Sequence, residues 1–114
     1  MKKFKKKAED LINLVDMPQR CIATDKITCE GSKIGYMYRE IPDDDMDSGW
    51  RFFAGSEDQE YVDNPENLEY YHPNTIANYD PSIIPFLNAP YGSAFEWDEN
   101  EKTFIKIDFP NMLE

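Results

Sequence analysis

Apolar positions in the first sixteen residues follow a helical spacing. Phe4, Ala8, Leu11, Ile12 and Val15 recur among charged and polar neighbours, and Pro18 closes the segment. The pattern predicts an amphipathic helix over 4–16 that packs on the core, within an N-terminal segment 1–19 preceding a single domain over 20–114. Beyond it the period shortens to two. Residues 21–24 and 27–29 are short β-type runs, and 30–33 carries the glycine of a turn. In 34–39, Ile34, Tyr36 and Tyr38 alternate with Gly35, Met37 and Arg39, so one face is ring-rich and the other ends in a cation. After an acidic loop over 42–48, residues 49–54 read as the next strand, antiparallel to 34–39. A meander is the economical topology.

Prolines punctuate the second half. Gly55, Asn64-Pro65, His72-Pro73 and Asp80-Pro81 argue against strands over 55–80, where loops and one short helix are expected. Asp80 can cap a helix beginning at Pro81 whose buried side is Ile83, Ile84 and Leu87, with Pro85 limiting its length. Residues 94–97 and 103–109 form a closing hairpin about the polar turn 98–102. The fold class expected is therefore α+β: one domain, a mainly antiparallel sheet, an N-terminal amphipathic helix and one or two short helices. No apolar run approaches the ~18 to 20 residues that a membrane-spanning helix needs.

Composition narrows the function classes. With 40% hydrophobic and 14% aromatic residues in 114, the chain has ring surface for one core, unlike a disordered acidic tail. The net charge of −11 is uneven: five lysines lie in residues 1–7, and the remainder carries seven bases against twenty-three acids. Such a body repels polyanions, which excludes a nucleic-acid-binding module and makes a basic protein the electrostatic complement. The lysine-rich start is interrupted by Glu9 and Asp10 with no apolar stretch behind it, so neither an export signal nor a membrane anchor is expected. On one continuous strand Cys21 and Cys29 would lie ~26 Å apart at ~3.3 Å per residue, so both are expected to be reduced thiols of a cytoplasmic protein.

The densest feature is 40–69, with eleven acids and a single base, Arg51. It reads either as a solvated region kept soluble by charge or as a docking face that steers a cationic partner, with Asp43, Asp44, Asp45, Asp47, Glu57, Asp58, Glu60 and Asp63 as candidate contacts. Exposed rings such as Tyr61, Tyr70 and Tyr71 would supply contact energy. A calcium loop starting at Asp43 is rejected because its sixth and twelfth places are Ser48 and Ala54. One His and two Cys without ligand spacing exclude a zinc site. His72, the single imidazole, precedes Pro73 with no nearby nucleophile, and no phosphate-binding or nucleophile-elbow motif occurs, so no catalytic residue, metal or cofactor is assigned.

Arg39 and Arg51 are the only cations between Lys33 and Lys102, and each is expected to pair with surrounding acids, structurally or beside a pocket. The rival reading is a small-ligand or enzymatic site between the sheet and 74–93, anchored by Arg39, Trp50, Arg51 and Tyr91. A third is an accessory domain whose acidity only keeps it soluble.

Three blocks, CIATDKIT, KIGYMYREIPDDDMDSGWRFFAGSEDQEYVDNPENL and NTIANYDPSIIPFLNAPYGSAFEWD, resemble a bacterial family of domains of unknown function that is immunity protein 33-like and grouped with polymorphic-toxin immunity proteins. The resemblance covers about residues 20–98. It implies a small intracellular protein that neutralises a toxin by binding it, and it brings no catalytic or assigned binding residues.

Overall fold

A computed structural model describes residues 2–110. Its strands are β1 (Arg20–Thr24), β2 (Tyr36–Arg39), β3 (Asp47–Phe53), β4 (Leu68–Tyr71), β5 (Ala94–Asp98) and β6 (Thr103–Ile107), forming one sheet in the order β4-β1-β3-β2-β5-β6. Three short helices, α1 (Asp25–Thr28), α2 (Gln59–Asp63) and α3 (Pro73–Tyr79), and 3-10 turns at Ala8–Asp10, Pro65–Asn67 and Pro81–Phe86 complete it. All neighbours are antiparallel except β1 and β3. The α+β class, the pairing of β2 with β3 and the closing hairpin β5–β6 are as expected, while residues 111–114 of the domain lie outside the described residues.

The meander is not what forms. β1 lies beside β3, and β2 lies on the far side of β3. The reason is local: 27–29, expected as strand, belongs largely to α1, whose Ile27 and Thr28 are fully buried. That turn of helix lifts the chain out of the sheet after β1, so β2 cannot return as a hairpin partner. Prolines also act otherwise than expected over 55–80. Pro65 and Pro73 sit at the first positions of helical turns, where their missing N–H costs nothing, and leave the four-residue edge strand β4 between them.

One face of the sheet carries the core. Cys21 and Ala23 of β1, Met37 of β2, Trp50 and Phe52 of β3, Phe95 of β5 and Phe104 of β6 are buried against Ile27, Ile76, Ala77, Ile83 and Leu87. The Trp50 ring stacks on Phe52 at 5.8 Å and Phe95 at 6.4 Å, and its indole N–H donates to the Leu87 carbonyl at 3.0 Å. Asp80 caps the 3-10 turn as expected, accepting from the Ser82 N–H, and its other oxygen accepts from the Ile34 N–H at 2.9 Å. That second bond ties the entrance of β2 to the covering layer.

The N-terminal helix expected over 4–16 is absent: only Ala8–Asp10 forms a single 3-10 turn. A chain of this length is a marginal helix in water, and five lysines at the positive end of the helix dipole disfavour it further. The backbone finds better partners on α3. Asn74 accepts from the Leu14 and Val15 N–H groups, Asn78 accepts from the Ile12 N–H, and both amides donate to the Ile12 carbonyl at 2.9 Å. Residues 2–17 thus form an extended arm laid across the helices. Lys2 bridges Asp25 and Glu69, and Phe4 meets Tyr71 edge-on at 6.1 Å.

Candidate functional site

Among the described residues the other face of the sheet is only partly covered, with Phe109 and Pro110 over part of its rings. Register places Tyr70, Ile22, Arg51, Tyr38, Ala94 and Ile107 in one transverse row across all six strands, and Phe53, Tyr36, Glu96 and Ile105 in a second row over four of them. An antiparallel sheet with one solvated face ordinarily shows polar residues there. Here the face is ring-rich and partly wet: Tyr36, Tyr38 and Phe53 are half-buried, Tyr70 is 57% exposed and Ile105 39%. Tyr36, Tyr38 and Phe53 pack with centroids 5.6 to 5.8 Å apart, and Phe109 caps Tyr38 edge-on at 5.5 Å. A groove of about 680 Å³ runs over these rings toward α2, with Glu57, Val62 and Glu96 on its walls. Burial, then the nearby Glu96, raises the Tyr36 hydroxyl pKa; burial, then Glu40, does the same for Tyr38.

Arg51 is the cation of this face and it is fully occupied. At 7% exposure it places its Nε on Glu40 at 2.6 Å and its two terminal nitrogens on the Asp47 carboxylate at 2.9 and 2.7 Å. Gly49, at φ +90°, makes the arrangement possible. A Cβ there would lie 2.0 Å from the Glu40 carbonyl, while its N–H donates to Asp47. Burial alone would raise the Asp47 pKa, but the Arg51 guanidinium and the Gly49 N–H outweigh it and hold the carboxyl below its ordinary range. Two carboxylates on one guanidinium leave this end of the face negative.

The acids of 40–69 do not form one surface. The seven residues of β3 separate Asp43, Asp44, Asp45 and Asp47 from Glu57, Asp58, Glu60 and Asp63 by roughly 20 Å at ~3.3 Å per residue. Several have local tasks. Glu57 accepts from the Thr24 hydroxyl and the Ala54 and Gly55 N–H groups, which together overcome its burial and lower its pKa. Asp58 caps α2 through the Tyr61 N–H, Asp63 accepts from Gln59, and Asp44 accepts from the Met46 N–H. Asp43, Asp45 and Glu60 are exposed.

Arg39 departs from the ion pair expected of it. Its Nε and Nη1 donate to the Ser48 and Ala89 carbonyls at 2.8 and 2.9 Å, and its guanidinium lies over Tyr91 at 4.5 Å and Trp50 at 5.8 Å. It faces away from Arg51, because alternate residues of adjacent strands serve opposite faces. Arg39 and Tyr91 line a cleft of about 440 Å³ with Asp43, Asp44, Asp45 and Asp47, whereas Trp50 is core and Arg51 belongs to the open face. Of the four residues considered for a pocket, Arg39, Trp50 and Tyr91 therefore meet, with Trp50 fully buried, and Arg51 stands apart on the other face. The three tyrosines are not brought together: Tyr61 lies under Lys26, Tyr71 bonds Thr28 on the covered side, and Tyr70 alone joins the open face. Sequence reasoning missed Glu96 and Phe53 as members of one row, although the alternation in 94–98 places Glu96 opposite to the buried Phe95.

His72 is exposed at the N-cap of α3, and Cys21 and Cys29 are free thiols, that of Cys21 pushed up by burial. Among the described residues no group of three or more His, Cys, Asp or Glu could hold a metal ion, and no helix is long and apolar enough to cross a membrane.

These features define a single α+β domain whose ring-rich sheet face is only partly covered by the described residues and lies between two acidic ends. The immunity protein Imm33 domain matches residues 21–108, and the chain belongs to that family. The match begins within β1 and passes the end of β6, extending the resemblance read over 20–98 and leaving the N-terminal arm outside it. No curated protein and no solved structure matches the chain.

Proposed function

We propose that this protein neutralises a toxin in the cytoplasm by binding a basic surface of it, and that it performs no catalysis. Family membership carries this reading, since an immunity protein domain covers residues 21–108, which include all of the sheet but Arg20. The charge distribution agrees with it. Exposed carboxylates at Asp43, Asp44, Asp45, Glu60 and Asp63 lie at both ends of β3, placed to accelerate encounter with a cationic partner, while Asp47, Glu57 and Asp58 act mainly on the fold.

Co-expression with cationic toxin-domain candidates, sought among the genes neighbouring this one, tests the reading. Restored growth and a stable complex on size-exclusion chromatography are expected. Unrelieved toxicity together with no complex would overturn it.

A further inference from the structure

Among the described residues, one charge of the open sheet face has no ion-pair partner. Glu96 stands in the second row between Tyr36 and Ile105, and it is exposed. The ion pairs of the described residues bind Asp25, Glu69, Glu40, Asp47 and Glu99 to their cations and leave Glu96 out. Arg51, one row away, is already taken by two carboxylates. Among the described residues Glu96 is therefore an anion without an ion pair, at the wall of a groove floored by Tyr36, Tyr38 and Phe53.

We infer that this face is where the toxin docks, and that the groove receives an arginine or lysine of the toxin, its aliphatic stem over the rings and its cationic head on Glu96. The inference rests on the immunity reading above and specifies the surface that reading leaves open. The chemistry suits a long cationic side chain. Ring faces attract cations, a carboxylate at the rim completes the pair, and the methylene stem covers apolar surface that an antiparallel sheet would otherwise leave wet. A second copy of this chain is a poor occupant. Two-fold pairing of this face would bring two acid-rimmed surfaces together, on a chain of net charge −11. Central rings with a charged rim are also the usual arrangement of a binding hot spot.

The test uses the full chain and the purified toxin domain against which it protects in the co-expression experiment. Glu96→Lys should weaken affinity by about 100-fold and Tyr36→Ala by about 10-fold, from losing a charge pair and a ring contact near the centre of the face. Glu101→Lys, on the exposed β5–β6 turn, should stay within about twofold of wild type, as a rim charge does. Thermal unfolding of Glu96→Lys should match wild type, because the side chain is solvent-exposed, and this separates lost binding from lost fold. Wild-type binding with Glu96→Lys and Tyr36→Ala both unchanged would overturn the docking face and leave the immunity reading standing. A wild-type dimer in sedimentation that Glu96→Lys dissolves would overturn it in favour of self-association. A wild-type chain that neither binds nor protects would overturn the immunity reading, and the docking face with it.

Discussion

The two faces of the sheet are drawn from alternate residues of the same strands, yet they solve opposite problems. On the covered face Trp50, Phe52, Phe95 and Phe104 interlock with Ile76, Ile83 and Leu87 until little of any ring meets water. On the open face Tyr36, Tyr38 and Phe53 make comparable ring contacts but stop halfway, with a groove above them and carboxylates around them. The covered face gains stability by removing apolar area from water; the open face keeps that gain in reserve for whatever next covers it. Ring content by itself does not distinguish the two, because both carry aromatic side chains at the same period of two.

Substitutions on either side should break this contrast in order of size. Trp50→Ala removes a fully buried ring and strands the Leu87 carbonyl, so a loss of about 3 to 5 kcal/mol in denaturant unfolding is expected, against under about 1 kcal/mol for Ile105→Ala on the open face. Equal losses would mean that both faces are core. Arg51→Met should cost about 3 kcal/mol, toward the low end for a broken buried pair because water reaches Glu40.

That ion pair also predicts an acid response. Asp47 and Glu57 have folded-state pKa values below their ordinary ones, so their contribution is complete above the ordinary carboxylate range near pH ~4 and is lost as pH falls below it. Asp47→Asn should flatten the fall in unfolding free energy below pH ~4 relative to wild type, and an identical slope would place the acid sensitivity elsewhere.

The arm is a weaker attachment. Asn74→Ala removes its bonds to Leu14, Val15 and Ile12, and should cost about 1 kcal/mol while raising hydrogen exchange at Leu14 and Val15 but not in the sheet. Smallest of all is the combined Asp43→Asn, Asp44→Asn and Asp45→Asn change, which leaves Asp47 on Arg51 and should move stability by no more than about 0.5 kcal/mol, level or upward. Toxin association should slow at low ionic strength and lose salt dependence. An unchanged rate would leave solubility as the explanation of that loop.

How far the sequence is legible varies with what decides each element. β2, β3 and the β5–β6 hairpin follow from alternation between polar turns, because each strand's partner is its neighbour in the chain. The arm misleads because apolar spacing describes side chains, whereas its conformation is set by amide partners sixty residues away on α3. β4 hides because four residues between two prolines carry too little pattern, and α1 because two β-branched residues sit in a single turn of helix. At the candidate site, the acidic run is visible as composition, but its division into two ends depends on β3 passing through the middle. Arg39 and Arg51 look alike in sequence, and only register sends one to aromatic rings and carbonyls and the other to carboxylates.

The strand order has a consequence for how the chain assembles. β1 is made first, yet both of its neighbours come later: β3 begins 27 residues on at Asp47 and β4 ends at Tyr71. The β2–β3 hairpin can close as soon as its own residues exist, whereas β1 must wait for the edge strand before its second side is paired. The first of the six strands to be made is therefore paired on both sides only after the β2–β3 hairpin has formed.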